Sequence, residues 1–197
     1  MKLAAALVVL LLPLIAFAQQ EKKSWPKPPE MKIDVNKTYL ANIETSKGKI
    51  VLELFAKEAP QTVNSFVFLA REGFYDGVEF HRVIPGFMIQ TGDRNGTPPG
   101  TGDAGYKFNN ENRDTTRTYK EGTVGMANSG PDTNGSQFFI MDHDYGLKPA
   151  SYTIFGQVKD GQDVVHALAT VKTIDPANHN DRPVEKVVMT KVTIEEK

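Results

Sequence analysis

Residues 80–93 read Phe-His-Arg-Val-Ile-Pro-Gly-Phe-Met-Ile-Gln-Thr-Gly-Asp, and residues 125–140 read Gly-Met-Ala-Asn-Ser-Gly-Pro-Asp-Thr-Asn-Gly-Ser-Gln-Phe-Phe-Ile. In both stretches, short apolar runs are separated by Gly, Asn, Asp or Pro. This spacing continues through the middle of the chain and is typical of a β-barrel or a β-sandwich. The two stretches therefore predict a mainly β fold.

The segment that precedes the first stretch predicts a hairpin and a helix. Residues 50–55 are rich in β-forming side chains and follow a Ser-Lys-Gly turn signal, so we expect them to pair with residues 39–44. Pro60 suits the first position of a helix, and apolar residues follow it at helical spacing. We expect this helix to end before Gly73.

The C-terminal part of the chain predicts a second helix and a last strand. Apolar residues at helical spacing indicate a helix over residues 162–169. Four residues at alternating positions are expected on one face of the last strand: Val188, Thr190, Val192 and Ile194. Because there is no internal repeat and no second linker, residues 38–197 are predicted to form one domain.

The composition excludes several classes of function. The chain has 197 residues, of which 40% are hydrophobic and 24% are charged, as in ordinary globular proteins. Its 23 Lys and Arg residues nearly balance 24 Asp and Glu residues, so no nucleic-acid partner is expected. The absence of cysteine excludes disulfides, thiolate nucleophiles and zinc sites built on Cys.

The N-terminus predicts export. Lys2 precedes an almost wholly apolar run, and residues 16–18 (Ala-Phe-Ala) suit a signal peptidase, so residues 1–18 are predicted to be a signal peptide. An uncleaved membrane anchor is the alternative. Residues 19–37 carry several prolines and are predicted to be an extended linker. We expect a periplasmic or secreted protein, bacterial first and of the eukaryotic secretory pathway second. It would be a monomer without stable membrane association.

Two weaker patterns are interpreted as loops. Residues 100–105 match the glycine pattern of dinucleotide sites, but no strand precedes them and no helix follows, so a flexible surface loop is expected. The four histidines lack paired metal spacing, so neither a metal nor a cofactor is predicted. For Asp142, His143 and Asp144, a cation site is the alternative to a solvated loop.

The two stretches quoted first resemble the signature segments of cyclophilins, and residues 152–158 resemble a third segment. The resemblance extends from about residue 39 to the C-terminus. It implies an eight-stranded antiparallel barrel capped by two α-helices. It also implies a peptidyl-prolyl cis/trans isomerase without a covalent intermediate. Its partners would be proline-containing segments of unfolded or folding proteins, here exported ones.

The reaction itself indicates which group is needed. Rotation of an Xaa-Pro amide crosses a barrier of about 18–20 kcal/mol because it breaks C–N resonance. No bond is made or broken, so the enzyme must stabilise the twisted amide more than the planar one. A guanidinium aimed at the prolyl nitrogen would do this, and the resemblance assigns that role to Arg82. The alternatives are a surface salt bridge for Arg82 and a peptide-binding module without turnover for the domain.

The resemblance assigns two further catalytic residues and a set of substrate contacts. Gln90 is expected to orient the arginine and the peptide, and Asn128 to grip the substrate backbone. The other substrate-binding residues implied are Phe87, Met88, Ala127, Ser129, Gln137, Phe139 and Leu147. Two positions depart from the family pattern: residues 146–148 lack tryptophan, and Tyr152 stands where many members have histidine.

Overall fold

The computed structural model describes residues 22–111, 116–146 and 151–197, so the predicted signal peptide lies outside the described residues. In this part of the chain, no helix is both long and apolar enough to cross a membrane. The helices are α1 (Pro60–Arg71) and α2 (Gln162–Ala169), with a 3-10 turn at Pro176–Asn178. The strands are β1 (Tyr39–Thr45), β2 (Gly48–Leu54), β3 (Arg82–Ile84), β4 (Met88–Thr91), β5 (Thr123–Met126), β6 (Phe138–Met141), β7 (Ile154–Asp160), β8 (Thr173–Asp175), β9 (Asn180–Pro183) and β10 (Met189–Glu196).

Eight of these strands form one antiparallel sheet in the order β10-β1-β2-β7-β5-β6-β4-β3. The two ends of the sheet approach each other just before β3 and β10. There, the N–H of Gly77 donates to the carbonyl of Met189 at 2.7 Å, and that of Phe80 donates to Val187 at 2.9 Å. The sheet is therefore curled on itself, and the predicted eight-stranded barrel with two helices is confirmed. Strands β8 and β9 form a separate hairpin beside β3.

Aromatic side chains fill the barrel between the sheet and α1. Phe66 of α1 is fully buried, with its ring centroid 5.0 Å from that of Tyr75 and 5.3 Å from that of Phe138. Burying each large apolar side chain contributes about 1.5–3 kcal/mol. The apolar residues predicted to follow Pro60 thus form the face of α1 that closes the barrel.

The last strand differs from the prediction. Met189 and Val192 are buried, whereas Thr190 is exposed. The cause is a β-bulge: Glu44 pairs with Lys191, but the next residue of β1 pairs with Met189, which leaves Thr190 as the extra residue. A bulge changes which side chains face inward, and simple alternation therefore fails at this point.

The described part of the N-terminal segment, residues 22–38 (the strap), packs against the domain. The ring of Trp25 lies against Phe68 of α1, with centroids 5.1 Å apart. The buried side chain of Asn64 accepts the N–H of Lys32 at 2.9 Å and donates to the carbonyl of Glu30 at 3.0 Å. The strap is therefore held by α1 through both apolar contact and hydrogen bonds.

Candidate active site

Strand pairing places a cation, an amide and an aromatic ring in one row. Arg82 of β3 pairs with Gln90 of β4, and Gln90 pairs with Phe139 of β6. Directly paired residues of an antiparallel sheet have Cβ atoms about 4.5–5.5 Å apart, so these side chains are neighbours on one face. The residues between them in sequence, such as Val83 and Ile89, point into the main core. We call the outer face of β3, β4 and β6 the groove.

Arg82 is half-exposed and held by one acidic residue. Its side chain is 46% exposed, and its Nε donates to Asp181 at 3.4 Å. Asp181 is almost buried and lies on β9, outside the eight-stranded sheet. The β8–β9 hairpin therefore positions the guanidinium from the side while leaving it open to a ligand.

An apolar cluster lies next to the guanidinium. Met88 and Phe139 belong to it, and Phe87 and Ala127 pack against it. The ring of Phe87 is also covered by Tyr145, with centroids 4.4 Å apart. The other buried members are Tyr119, Met141 and Ile154, and Ile84, Phe55 and Tyr152 pack against them. The cluster provides a surface that can receive a proline ring. Leu147, predicted for the same pocket, lies outside the described residues.

Gly125 explains how Phe139 reaches the groove. It pairs with Phe139 across β5 and β6. A Cβ atom at position 125 would lie 2.3 Å from the ring atom Cζ of Phe139. The ring therefore lies directly over the glycine, and no larger residue fits beneath it.

On the polar side of the groove, side-chain amides form a chain of hydrogen bonds. Gln90 donates to Gln137 at 3.0 Å, and Gln137 donates to the carbonyls of Gly100 and Gly102 at 3.0 and 2.8 Å. These two carbonyls belong to residues 93–105, which we call the glycine loop. The loop thus fixes the amide that contacts Gln90.

The glycine loop is organised around a single carboxylate. Asp93 accepts the backbone N–H groups of Gly96, Gly100 and Gly102 at 2.6, 2.5 and 3.2 Å. A Cβ atom at residue 96 or 102 would lie within 2.4 Å of this carboxylate, so the close approach needs glycine. The segment predicted to be a flexible surface loop is instead an ordered turn without a helix. The strap supports it, because the N–H of Trp25 donates to Ala104 at 2.8 Å.

Asn128 and its neighbours form the far end of the groove. The Asn128 side chain donates to the carbonyl of Ser151 at 2.9 Å and accepts the N–H of Gly130 at 3.2 Å. Within the described residues, its main-chain N–H and carbonyl have no hydrogen-bond partner. A cavity of about 100 Å³ lies here, with Gln90, Ala127 and Ser129 among its lining residues.

Nine of the ten predicted site residues are described, and each lies in the apolar cluster or along one of two cavities that share Gln90. Sequence reasoning missed Asp93 and Asp181, whose partners depend on the folded chain. It also missed two aromatic residues, Tyr119 and Tyr145. The Tyr119 hydroxyl donates to the carbonyl of Tyr152 at 2.7 Å, and burial raises the pKa of Tyr119 well above its usual range.

Relatives among characterised proteins are similar across the whole domain. A peptidyl-prolyl cis-trans isomerase-like 1 of Emericella nidulans is 42% identical over 154 residues, which are 78% of this chain and 93% of that protein. The protein of the same name from Mus musculus is 44% identical over 150 residues, 76% of this chain and 88% of that protein. The chain therefore aligns with nearly the full length of these relatives.

These relatives contradict the predicted location. They are eukaryotic proteins from fungi, a mouse and a plant. The prediction of a periplasmic or secreted protein is therefore wrong.

Solved structures agree with the sequence relatives. A cyclophilin-type peptidyl-prolyl cis-trans isomerase of Cryptosporidium parvum superposes with a TM-score of 0.73 at 28% identity, covering 81% of this chain and 99% of that one. The same protein, crystallised in the presence of the dipeptide Ala-Pro, gives a TM-score of 0.72 at 29% identity, with 80% and 99% coverage. The family model described as cyclophilin type peptidyl-prolyl cis-trans isomerase matches residues 40–194. The chain is a member of this family of rotamase enzymes.

Proposed function

We propose that Arg82 accelerates Xaa-Pro rotation by donating a hydrogen bond to the prolyl nitrogen of the twisted amide. The observation behind this proposal is the row formed by Arg82, Gln90 and Phe139 across three paired strands. This row puts a permanent cation beside the apolar cluster. A proline ring bound against the cluster would bring its nitrogen toward the guanidinium.

The chemical advantage lies in selectivity for the twisted state. In a planar amide the nitrogen lone pair is delocalised, so it accepts a hydrogen bond poorly. Twisting localises the lone pair, and a donor at this atom therefore favours the transition state over both planar isomers. Arg82 suits this role because a guanidinium stays protonated at any working pH. Asp181 would hold the guanidinium through Nε and leave its other N–H groups available to the prolyl nitrogen.

The apolar cluster would bind the proline ring. Met88 and Phe139 form its buried part, and Phe87 packs against them. A proline ring that covers these side chains also excludes water from around Arg82, which strengthens the new hydrogen bond. The cluster therefore contributes to affinity and to the local field.

The amides would align the peptide on either side of the proline. Gln90, fixed by Gln137, lies next to Arg82 and is proposed to orient both the guanidinium and the peptide. Asn128 has its side chain engaged by Ser151, so we propose that it grips the peptide backbone through its own main-chain groups. Ala127 and Ser129 would leave space for the residue before proline. The substrates would be proline-containing segments of polypeptides.

The test compares Arg82→Ala with Arg71→Ala in a cis-to-trans exchange assay on a short Ala-Pro-Phe peptide. Arg71 is a matched control, because its side chain is 48% exposed and also pairs with a carboxylate, Glu196, at 2.8 Å. Arg82→Ala is expected to lower kcat/KM by about 100-fold or more, as when one preorganised donor is removed. Arg71→Ala should stay close to the wild type.

Arg82→Lys separates charge from geometry. Lysine keeps the cation but lacks the planar fork, so its activity should lie between wild type and Arg82→Ala. Activity that survives in Arg82→Ala would overturn the role of the arginine. A folded wild-type protein that binds the peptide without accelerating its exchange would make the domain a peptide-binding module instead.

A further inference from the structure

Three side chains on the far side of the β3–β4 turn form a compact cluster outside the groove. Asp142 and His143 follow β6, and His166 lies on α2. The Nδ1 atoms of the two histidines each lie 3.1 Å from an oxygen of Asp142, on opposite oxygens of the carboxylate. The sequence predicted no metal site because these histidines are not regularly spaced. The fold brings His166 to Asp142 across 24 residues of sequence.

The ligand atoms are close to the geometry of a bound metal ion. One atom from each of the three residues lies within 4.8 Å of the other two. In a tetrahedral site with zinc bonds of about 2.0–2.2 Å, neighbouring ligand atoms are about 3.3–3.6 Å apart. The two histidine side chains are 53% and 57% exposed, so their rings can turn inward by the remaining distance. Water has access to complete the coordination.

The charge of Asp142 also favours a cation. Its side chain is fully buried. Within the described residues, its ion pairs are with these two histidines alone, and the N–H of Gly86 donates to it at 2.7 Å. A buried carboxylate is costly unless its charge is compensated. A divalent ion between the three residues supplies that compensation.

Neighbouring groups hold the ligands in place. Gly86 fixes one oxygen of Asp142, and the amide of Gln162 donates to the carbonyls of Met141 and Asp142 at 3.3 and 3.4 Å. Gln162 lies one turn before His166 on the same face of α2. Such outer partners orient metal ligands in known sites. Asp144 is not part of the cluster; it accepts the N–H of Glu121 at 2.8 Å.

We propose that Asp142, His143 and His166 bind one divalent transition-metal ion, with Zn²⁺ as the best fit. Two imidazoles and one carboxylate are a ligand set that suits zinc, whereas Mg²⁺ and Ca²⁺ prefer oxygen ligands throughout. The ion links α2 to the turn that leads into β4, because the N–H of Asp142 also donates to the carbonyl of Phe87 at 2.9 Å. It therefore braces the turn that presents Phe87 to the groove.

The experiment uses protein without an affinity tag, stripped of metal by a chelator and then titrated with Zn²⁺ alone. One ion per chain is expected, with a rise in Tm that Mg²⁺ does not reproduce. His166→Ala and His143→Ala should each weaken Zn²⁺ binding by at least about 100-fold, beyond the 10–100-fold typical of losing an outer partner. His179→Asn is the control, because His179 is exposed and has a left-handed φ of 59° that asparagine tolerates.

Several results would contradict the proposed Zn²⁺ site. Equal Zn²⁺ affinity in the wild type and both histidine variants would exclude it, as would an equal loss in the His179→Asn control. Circular dichroism shows whether each variant is folded. For a variant that is not, His166→Gln replaces the exposed ring with a polar side chain of similar reach and should lose binding to the same extent. As a second readout, Co²⁺ bound to the wild type should give visible absorption bands of a low-coordinate site, and their absence would contradict the proposed geometry.

Discussion

The two sides of the groove are built in different ways. The apolar side lies on β4 and β6, where every neighbouring strand contributes ladder hydrogen bonds and Phe139 rests on Gly125. The polar side depends on the glycine loop, which is not part of a strand. Three backbone N–H groups of this loop donate to the carboxylate of Asp93. The apolar side is thus held by many small contributions, whereas on the polar side one carboxylate accepts three of the loop's backbone N–H groups. Single substitutions should therefore damage the polar side more.

The largest effect is expected from Asp93→Ala. It removes the acceptor of three part-buried backbone N–H groups, and one hydrogen bond to a charged group contributes about 1.5–3 kcal/mol. We expect the free energy of unfolding to fall by at least about 2 kcal/mol. Activity should also fall, because Gln137 loses the carbonyls that fix it. Urea denaturation and the peptide exchange assay measure the two losses.

Asp103→Ala is the control for this prediction. Asp103 lies in the same loop, but among the described residues its carboxylate accepts a single backbone N–H, that of the exposed Gly105, and pairs with an exposed lysine. An exposed ion pair contributes about 0–1 kcal/mol, so this variant should be close to wild type. If the two variants lose equal stability, Asp93 is not the organising residue of the loop.

Gly125→Ala tests the apolar side and should have the next largest effect. The added methyl group meets the ring of Phe139 at 2.3 Å, so the ring must shift toward the groove. Overpacking of this kind costs about 1–3 kcal/mol. Because the displaced ring occupies the proposed proline site, KM for the peptide should rise more than kcat falls.

Gly146→Ala serves as the matched change, since among the described residues no atom lies within 4 Å of a Cβ placed there. It should alter neither stability nor KM. A Gly125→Ala protein with unchanged KM would mean that Phe139 does not contact the proline ring. It would also weaken the distinction drawn between the two sides.

The same contrast explains what the sequence could and could not predict. The helix expected over residues 162–169 is α2, and the expected hairpin is β1–β2, because both depend on local periodicity and turn residues. The partner of Arg82 is 99 residues away, on a hairpin that no local pattern indicates. Nor does alternation reveal the bulge at Thr190.

For the site as well, residues on regular strands could be predicted, whereas the structure of the loop could not. Residues on strands, such as Met88 and Phe139, were predicted through the family resemblance and lie on one surface. The order of the glycine loop was missed. A run of glycines indicates a flexible loop in the sequence, and only the structure shows that the Asp93 carboxylate binds their backbone N–H groups. Local periodicity does not show which carboxylate accepts the backbone N–H groups of a loop, even when they lie only three to nine residues away.

The smallest expected effect concerns pH and is confined to the polar side. His81 is buried beneath Gly100 of the glycine loop, and this burial lowers the pKa of His81 below its usual 6.5. The nearby carboxylates of Asp93 and Glu79 oppose the shift, whereas the cations of Arg82 and Arg182 add to it. The folded ring therefore stays neutral at a pH where the unfolded ring is already protonated.

The sign of the pH dependence follows from this difference. As pH falls through 6.5, the unfolded chain binds a proton that the folded chain does not, so stability is lost until the lowered folded pKa is reached. One proton limits the slope to about 1.4 kcal/mol per pH unit. His81→Gln should flatten the curve of unfolding free energy between about pH 7 and pH 5, measured by urea denaturation. If the unfolding free energy of wild type and of His81→Gln has the same slope against pH, another group causes the acid sensitivity. The polar side of the groove would then not differ from the apolar side in its response to pH.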